Sequence, residues 1–188
     1  MWKDRLPTIV AERVRLRWLT PGDVDALYDV FSDPDVMRYW SSPPLQDREA
    51  AGRLLQQIRD HFERRDLFQW GVALSADDRV IGTCTLCRLD ALNKRAEIGF
   101  ALGRAHWGHG YMSEALEALF GIAFDEMQLR RIEADVDPRN EASIRLLERL
   151  GFEKEGHLRE RWLVNGGVQD ALFYGLLRRD WMRRKQNE

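Results

Sequence analysis

The sequence of 188 residues has only two cysteines, no long apolar segment and no excess of charge of either sign. Two cysteines are too few for the disulfide framework of a small secreted domain, and no segment approaches the roughly 20 apolar residues of a membrane-spanning helix. The net charge of −2, from 29 basic and 31 acidic residues, argues against a general surface for nucleic acid. Because residues 1–5 lead into no apolar signal region, we expect a cytoplasmic protein without membrane or direct nucleic-acid partners.

The two cysteines, Cys84 and Cys87, have the C-x-x-C spacing of some redox and metal sites. They fall in a predicted strand, where an odd separation points two side chains to opposite faces. A disulfide or a shared metal ion does not fit that geometry, so we expect two reduced thiols. His106 and His109 come without a further set of ligands, and we predict no metal site.

Hydrophobic periodicity divides the chain into strands and helices without repeats or low-complexity linkers. The turn Asn165-Gly166-Gly167 predicts a hairpin between the last two strands. Hairpins combined with crossover helices define a mixed α/β sheet in a single domain, residues 1–188, with 1–9 flexible and a basic tail at 178–188. The predicted strands cover residues 13–20, 68–74, 79–86, 95–102, 131–136, 153–164 and 168–177.

The final predicted helix before that hairpin has two candidate N-caps. Asp137 is favoured because Pro138 would then occupy the first helical position, although Asn140 could also serve. Gly151 fits the left-handed residue that ends many helices.

The most informative segment is the loop Trp107-Gly108-His109-Gly110-Tyr111, between a predicted strand and an amphipathic helix. Two glycines two residues apart allow a tight turn that leaves N–H groups exposed, and the helix adds its positive N-terminal end. This combination predicts a site for a phosphate, above all a diphosphate. The loop is not a Walker loop, since no Gly-Lys-Ser/Thr follows, and it lacks the third glycine of a dinucleotide fingerprint.

Four segments carry a family resemblance: residues 96–100 (AEIGF), 107–111 (WGHGY), 137–143 (DPRNEAS) and 150–156 (LGFEKEG). In this order and spacing they resemble the GCN5-related N-acetyltransferase (GNAT) superfamily, and within it the RimJ/RimL-like branch of ribosomal-protein N-terminal acetyltransferases. The resemblance covers residues 10–181. It implies a mixed, mostly antiparallel twisted sheet of about seven strands with helices on both faces.

The resemblance also implies acetyl-CoA as the acetyl donor and a primary amine as the acceptor. It places the pyrophosphate on main-chain N–H groups of the glycine loop and pairs the pantetheine with the strand around Phe100. Asn140 would lie near the pantetheine or the thioester. The implied cofactor-binding residues are Phe100, Ala101, Leu102, Gly108, His109, Gly110, Tyr111, Met112, Ser113, Asn140 and Ser143.

The sequence departs from the family pattern at two positions. Many members have Gln or Arg three residues before the first loop glycine, where this chain has Ala105 with Arg104 beside it. Many also have a tyrosine seven residues after the asparagine, as the acid for the leaving thiolate, where this chain has Leu147. The RimL-like branch instead carries a serine at the position of Ser143.

Amine attack on a thioester needs a neutral amine, a polarised carbonyl and a proton for the leaving sulfur. A strand N–H near Phe100 can polarise the carbonyl, and Glu97 on the same strand is the candidate base, directly or through water. Glu97 could instead pair with Arg95 or another arginine. Ser143 could protonate the thiolate, bind the cofactor or only bond its own backbone. Asn140 could be a plain helix cap.

The acceptor site is the part least determined by the sequence. The resemblance places the acceptor against aromatic segments and the last hairpin, where Asp170 could hold a cationic amine, but core packing explains each aromatic residue equally well. The candidates are Tyr39, Trp40, Phe68, Trp70, Arg161, Trp162 and Asp170.

The cost of deprotonation favours one type of acceptor. An α-amino group has a pKa of about 7.7–8.0 and a lysine about 10.4, so neutralising them at pH 7 costs about 1 and about 4–5 kcal/mol. The leading hypothesis is therefore transfer to a protein N-terminal α-amine. We expect the enzyme to be a monomer or a homodimer. The alternatives are a small-molecule amine, such as a polyamine, an amino acid or an antibiotic, and a non-catalytic acyl-CoA-binding domain.

Overall fold

The computed structural model describes residues 2–164 and 166–186. Within them the chain forms one eight-stranded sheet in the order β1-β2-β3-β4-β5-β6-β8-β7. The strands are β1 (Ile9–Val10), β2 (Val14–Arg17), β3 (Leu67–Leu74), β4 (Val80–Asp90), β5 (Arg95–Leu102), β6 (Arg131–Val136), β7 (Glu153–Val164) and β8 (Gly167–Leu177). The helices are α1 (Val24–Phe31), α2 (Pro34–Met37), α3 (Arg48–Arg64), α4 (Tyr111–Gly121), α5 (Glu141–Arg149) and α6 (Arg178–Gln186).

All neighbouring strands are antiparallel except β5 and β6, which are parallel. Their pairing covers only the first three residues of each strand and ends at Glu97 and Glu133. Beyond that point β5 continues to pair with β4 and β6 with β8. The sheet is therefore split along its middle, and residues 98–102 of β5 form one edge of the split.

Helices pack against the sheet, and the buried contacts form two separate hydrophobic clusters. Val72 belongs to the cluster with α4 and α5, and its neighbour Ala73 belongs to the cluster with α1 and α3. Adjacent residues on a strand point to opposite faces, so the two clusters lie on opposite sides of β3. This confirms the mixed α/β sheet with helices on both faces.

Most predicted elements are found within a few residues. β5 and β6 have the predicted bounds. Asp47 is the N-cap of α3, since its carboxylate accepts the Ala50 N–H at 2.7 Å. β1 is an additional edge strand that the sequence did not suggest, and α4 continues as one π-helical segment, Ile122–Glu126. Asn165, predicted in the hairpin turn, lies outside the described residues.

The favoured cap of α5 was wrong. The helix begins at Glu141, and the Asn140 carboxamide oxygen accepts the Ser143 N–H at 3.2 Å, which makes Asn140 the N-cap. The Asp137 carboxylate instead accepts the Arg139 N–H at 2.8 Å and pairs with the Arg139 guanidinium. Gly151 has φ +90°, the predicted left-handed conformation after a helix.

Both ends of the described chain pack against the body of the domain. Near the N-terminus, Leu6 is 2% exposed, and the Trp2 ring lies 5.8 Å from that of Trp70. At the C-terminus, the basic segment forms α6, whose Trp181 packs 5.3 Å from Phe124.

The cysteines are free. Cys84 is buried in the cluster under α4, while Cys87 lines a cavity on the other face of the sheet. Burial raises the pKa of the Cys87 thiol to about 11, so it is protonated at neutral pH. None of the helices in the described part of the chain has the length and apolar character needed to cross a bilayer.

Candidate active site

The glycine loop has the predicted conformation. Gly108 and Gly110 have φ of +77° and +80°, a region that other residues adopt only at a cost of about 1–2 kcal/mol. Gly110 directly precedes α4. The loop and the first turn of α4 line a cavity of about 690 Å³, the loop cavity, together with residues 100–102 of β5. Exposed N–H groups and a helix N-terminus at one cavity suit a diphosphate.

The loop cavity includes most of the implied cofactor-binding residues, with one exception. His109 does not line it, because its ring stacks on Tyr111 with centroids 5.7 Å apart. Trp107 was not predicted as a site residue but lines the cavity and donates its indole N–H to the Leu102 carbonyl at 2.7 Å. Its position beside Gly108 in the sequence could have indicated that Trp107 belongs to the site.

A second cavity of about 730 Å³, the acid cavity, is lined at the split by residues 97–100 of β5 and 134–136 of β6. The two cavities share lining residues, so they meet inside the protein. The shared residues are Tyr39, Trp40, Phe100, Asn140 and Ser143. A group held in the loop cavity would meet a group entering from the acid cavity at this junction.

Glu97 lines the acid cavity close to the split. Its carboxylate is 16% exposed and pairs with Arg88 at 2.7 Å, not with Arg95. Burial raises the pKa of Glu97 above its ordinary value, Arg88 opposes this, and the negative charge of Asp135 adds to it. A carboxylate with a raised pKa is a better proton acceptor than an exposed one.

Asp135 is a site residue that the sequence analysis missed. Its carboxylate is 5% exposed, lines the acid cavity, and accepts hydrogen bonds from Arg161 at 3.2 Å and the Trp162 indole at 2.9 Å. The sequence signal that could have found it is its position two residues beyond Glu133 on the same strand. In the structure, Glu133 is the parallel partner of Glu97. This alternation puts Asp135 on the same face of the sheet as Glu97.

Of the residues predicted at the thioester, Asn140 and Ser143 reach both cavities. The Asn140 oxygen is engaged in capping α5, so its cap role is established by the geometry. Leu147, where many relatives have tyrosine, is 1% exposed and lines the acid cavity.

The structure places the acceptor candidates in three different environments. Tyr39, Trp40, Trp162 and Asp170 line the acid cavity. Arg161 does not line it but pairs with Asp135. Phe68 and Trp70 lie on the opposite face of β3, fully buried in the larger cluster.

Asp170 stabilises the hairpin formed by β7 and β8. Its carboxylate accepts the Glu160 N–H and bonds His157, both at 2.8 Å, and these contacts hold the pKa of Asp170 below its usual value. Glu160 has φ +52° at an irregularity in the pairing of β7 with β8. Asp170 thus stabilises this irregularity, a β-bulge in β7, which places Arg161 and Trp162 in contact with Asp135.

A split sheet and a glycine loop beside two cavities that meet can hold a phosphate-bearing coenzyme next to a second substrate, and comparisons with known proteins identify the class as N-acetyltransferase. A family model described as an acetyltransferase (GNAT) domain matches residues 13–153. The chain belongs to this family, whose members use acetyl-CoA.

One sequence relative and two solved structures illustrate the similarity. The protein named Uncharacterized N-acetyltransferase p20 of Bacillus licheniformis is 39% identical over 176 residues, 94% of this chain and 99% of the relative. The spermidine N-acetyltransferase of Vibrio cholerae, solved with CoA and spermine, has a TM-score of 0.79 at 23% identity, covering 90% of this chain and 98% of its own. The ribosomal-protein-S5-alanine acetyltransferase of Vibrio fischeri has a TM-score of 0.79 at 23% identity, covering 93% and 98%. At such identities the two structures show the common fold.

Proposed function

We propose that this protein transfers the acetyl group of acetyl-CoA to the N-terminal α-amine of a protein, as a RimJ/RimL-like enzyme. The observation that carries the proposal is the meeting of the loop cavity with the acid cavity beside Glu97. The first suits the phosphates of a coenzyme and the second suits an amine.

Separate groups of the protein bind the donor, accept the proton of the amine and protonate the thiolate. Main-chain N–H groups of residues 108–113 hold the pyrophosphate, and the free edge of β5 holds the pantetheine and polarises the thioester carbonyl. As the amine nitrogen bonds to the carbonyl carbon, its proton passes to Glu97, directly or through water. The C–S bond then breaks, and Ser143 relays a proton from water to the thiolate. Glu97 returns the proton of the amine to water, so both residues regain their starting state and no net proton is lost or gained.

The charges in the acid cavity favour a single amine over a polyamine. A polyamine brings two or more cations, each of which needs an unpaired carboxylate to offset its desolvation. Among the described residues, three of the four carboxylates lining the cavity pair with an arginine, and the fourth, Asp170, bonds His157, which offsets its charge only when protonated. The pairs are Glu97–Arg88, Asp135–Arg161, Asp137–Arg139 and Asp170–His157.

A panel of amines with release of free CoA as the readout tests the proposal. We expect the highest kcat/KM for peptides with a free α-amine, and little turnover of N-terminally blocked peptides that keep a lysine. Spermidine preferred over every peptide would replace the α-amine with a polyamine, the acceptor named for the V. cholerae structure. Binding of acetyl-CoA without CoA release from any amine would leave a non-catalytic binding domain.

Two substitutions around Glu97 should move the pH profile in opposite directions. The base must be ionised, so kcat/KM falls as the pH drops through the raised pKa of Glu97. Arg88→Met removes a cation that lowers this pKa, so the acid limb of the kcat/KM profile should shift to higher pH. Asp135→Asn removes an anion that raises it, and the limb should shift to lower pH.

The measurement is kcat/KM against pH for the wild type and both variants with one peptide acceptor. Arg53→Met is a matched control, because Arg53 also lines the acid cavity but pairs with Glu49. Shifts in the same direction for both variants would show that the limb does not report Glu97.

A further inference from the structure

Arg13, in the bend before β2, contacts the glycine loop from outside the loop cavity. Its guanidinium donates to the His109 carbonyl at 3.0 Å and to the Glu114 carboxylate at 2.8 Å, and it lies 5.2 Å from the centre of the Tyr111 ring. Arg13 does not line either cavity.

The bond to the His109 carbonyl determines where the next N–H points. In a planar trans peptide the C=O and the N–H of one peptide unit point in opposite directions. The His109 carbonyl and the Gly110 N–H belong to the same unit. With the carbonyl held toward Arg13, the N–H is directed away from it, on the side where Gly110 lines the loop cavity.

Glu114 fixes Arg13 in this position. Its carboxylate is 16% exposed and also accepts the backbone N–H groups of Arg13 at 2.5 Å and Val14 at 3.2 Å. Because Glu114 lies in the first turn of α4, it ties the start of β2 to the helix that follows the loop. The packing is tight, since a Cβ on Gly110 would lie 3.3 Å from an Arg13 guanidinium nitrogen.

We propose that Arg13 is a positioning residue for the donor substrate, which holds the His109–Gly110 peptide so that its N–H faces the pyrophosphate of CoA. This inference rests on the proposed use of the loop for CoA. It predicts that Arg13 matters for ligands that carry a pyrophosphate and not for those that lack one.

The test compares CoA with pantetheine, which has no pyrophosphate, by calorimetry on wild type and Arg13→Met. One hydrogen bond to a charged group corresponds to about a 10- to 100-fold change in affinity, so we expect Kd for CoA to rise about 10-fold and Kd for pantetheine to stay within about twofold. In turnover, KM for acetyl-CoA should rise while kcat at saturation is unchanged. Arg13→Lys, which keeps the cation, should be intermediate.

Arg15→Met is the control, since Arg15 lies two residues after Arg13, in β2, but bonds the Ser75 carbonyl and Asp78. Equal losses for CoA and pantetheine in Arg13→Met would show a general structural effect and overturn the proposal, as would an unchanged Kd for CoA. A wild type that does not bind CoA would remove the cofactor assignment itself. Failure to find a peptide acceptor would leave the affinity comparison intact.

Discussion

Replacing Glu97 by glutamine is expected to lower kcat by about 10²- to 10³-fold, within the range of general base catalysis, with little change in KM for acetyl-CoA. Glutamine keeps the size of the side chain and can still accept the Arg88 hydrogen bond, but it cannot take the proton of the amine. Steady-state kinetics with a peptide acceptor, together with calorimetric titration of acetyl-CoA, provide the measurement.

Glu133→Gln is the matched control. Glu133 is the parallel partner of Glu97, and it pairs with Arg95 and Arg131 outside both cavities. Its variant should keep kcat near that of the wild type. A similar drop in both variants would point to the charge network of the sheet, and undiminished turnover in Glu97→Gln would remove Glu97 as the base.

Trp70→Ala is expected to lower the free energy of unfolding by about 3–5 kcal/mol, the usual cost of truncating a buried tryptophan. Trp70 is fully buried, lies 5.8 Å from the Trp2 ring, and donates its indole N–H to the Pro7 carbonyl at 3.0 Å. Urea unfolding measures the loss. Because Trp70 lies on the face of β3 opposite the acid cavity, KM for the amine should not change at a temperature where the variant is folded.

Trp40→Ala provides the comparison. Trp40 is half-buried against Phe31, with ring centroids 5.6 Å apart, and lines the junction of the cavities. Its truncation should cost less stability but raise KM for the amine. If Trp70→Ala raised KM for the amine as much as Trp40→Ala does, Trp70 would have to contact the acceptor after all.

The loop and the split strand were predictable because their signals are local. Two glycines between a strand and a helix specify a backbone conformation directly, and Gly108 and Gly110 adopt it. The strand predicted over residues 95–102 likewise matches β5 to the residue. Signals of this kind need no knowledge of neighbouring strands.

The acid cavity was only partly predictable because it depends on contacts between distant segments. A strand pattern separates Trp70 from Gln69, but it does not say which face meets the acceptor; Gln69 is the residue that lines the cavity. Asp135 acquires its environment from the bulge of β7, 26 residues later in the sequence at Arg161. Asn140 and Asp137 differ as caps because the Asp137 carboxylate is taken by Arg139.

The split between β5 and β6 also leaves unpaired backbone groups in the interior of the sheet. An open edge strand normally invites pairing with another chain, which leads to aggregation. Here residues 98–102 face a gap whose far side is β6, itself paired to β8, so a strand that pairs with β5 must fit between β5 and β6. We expect a molecule bound in the gap to delay local opening of β5 and to slow the amide hydrogen exchange of residues 98–102.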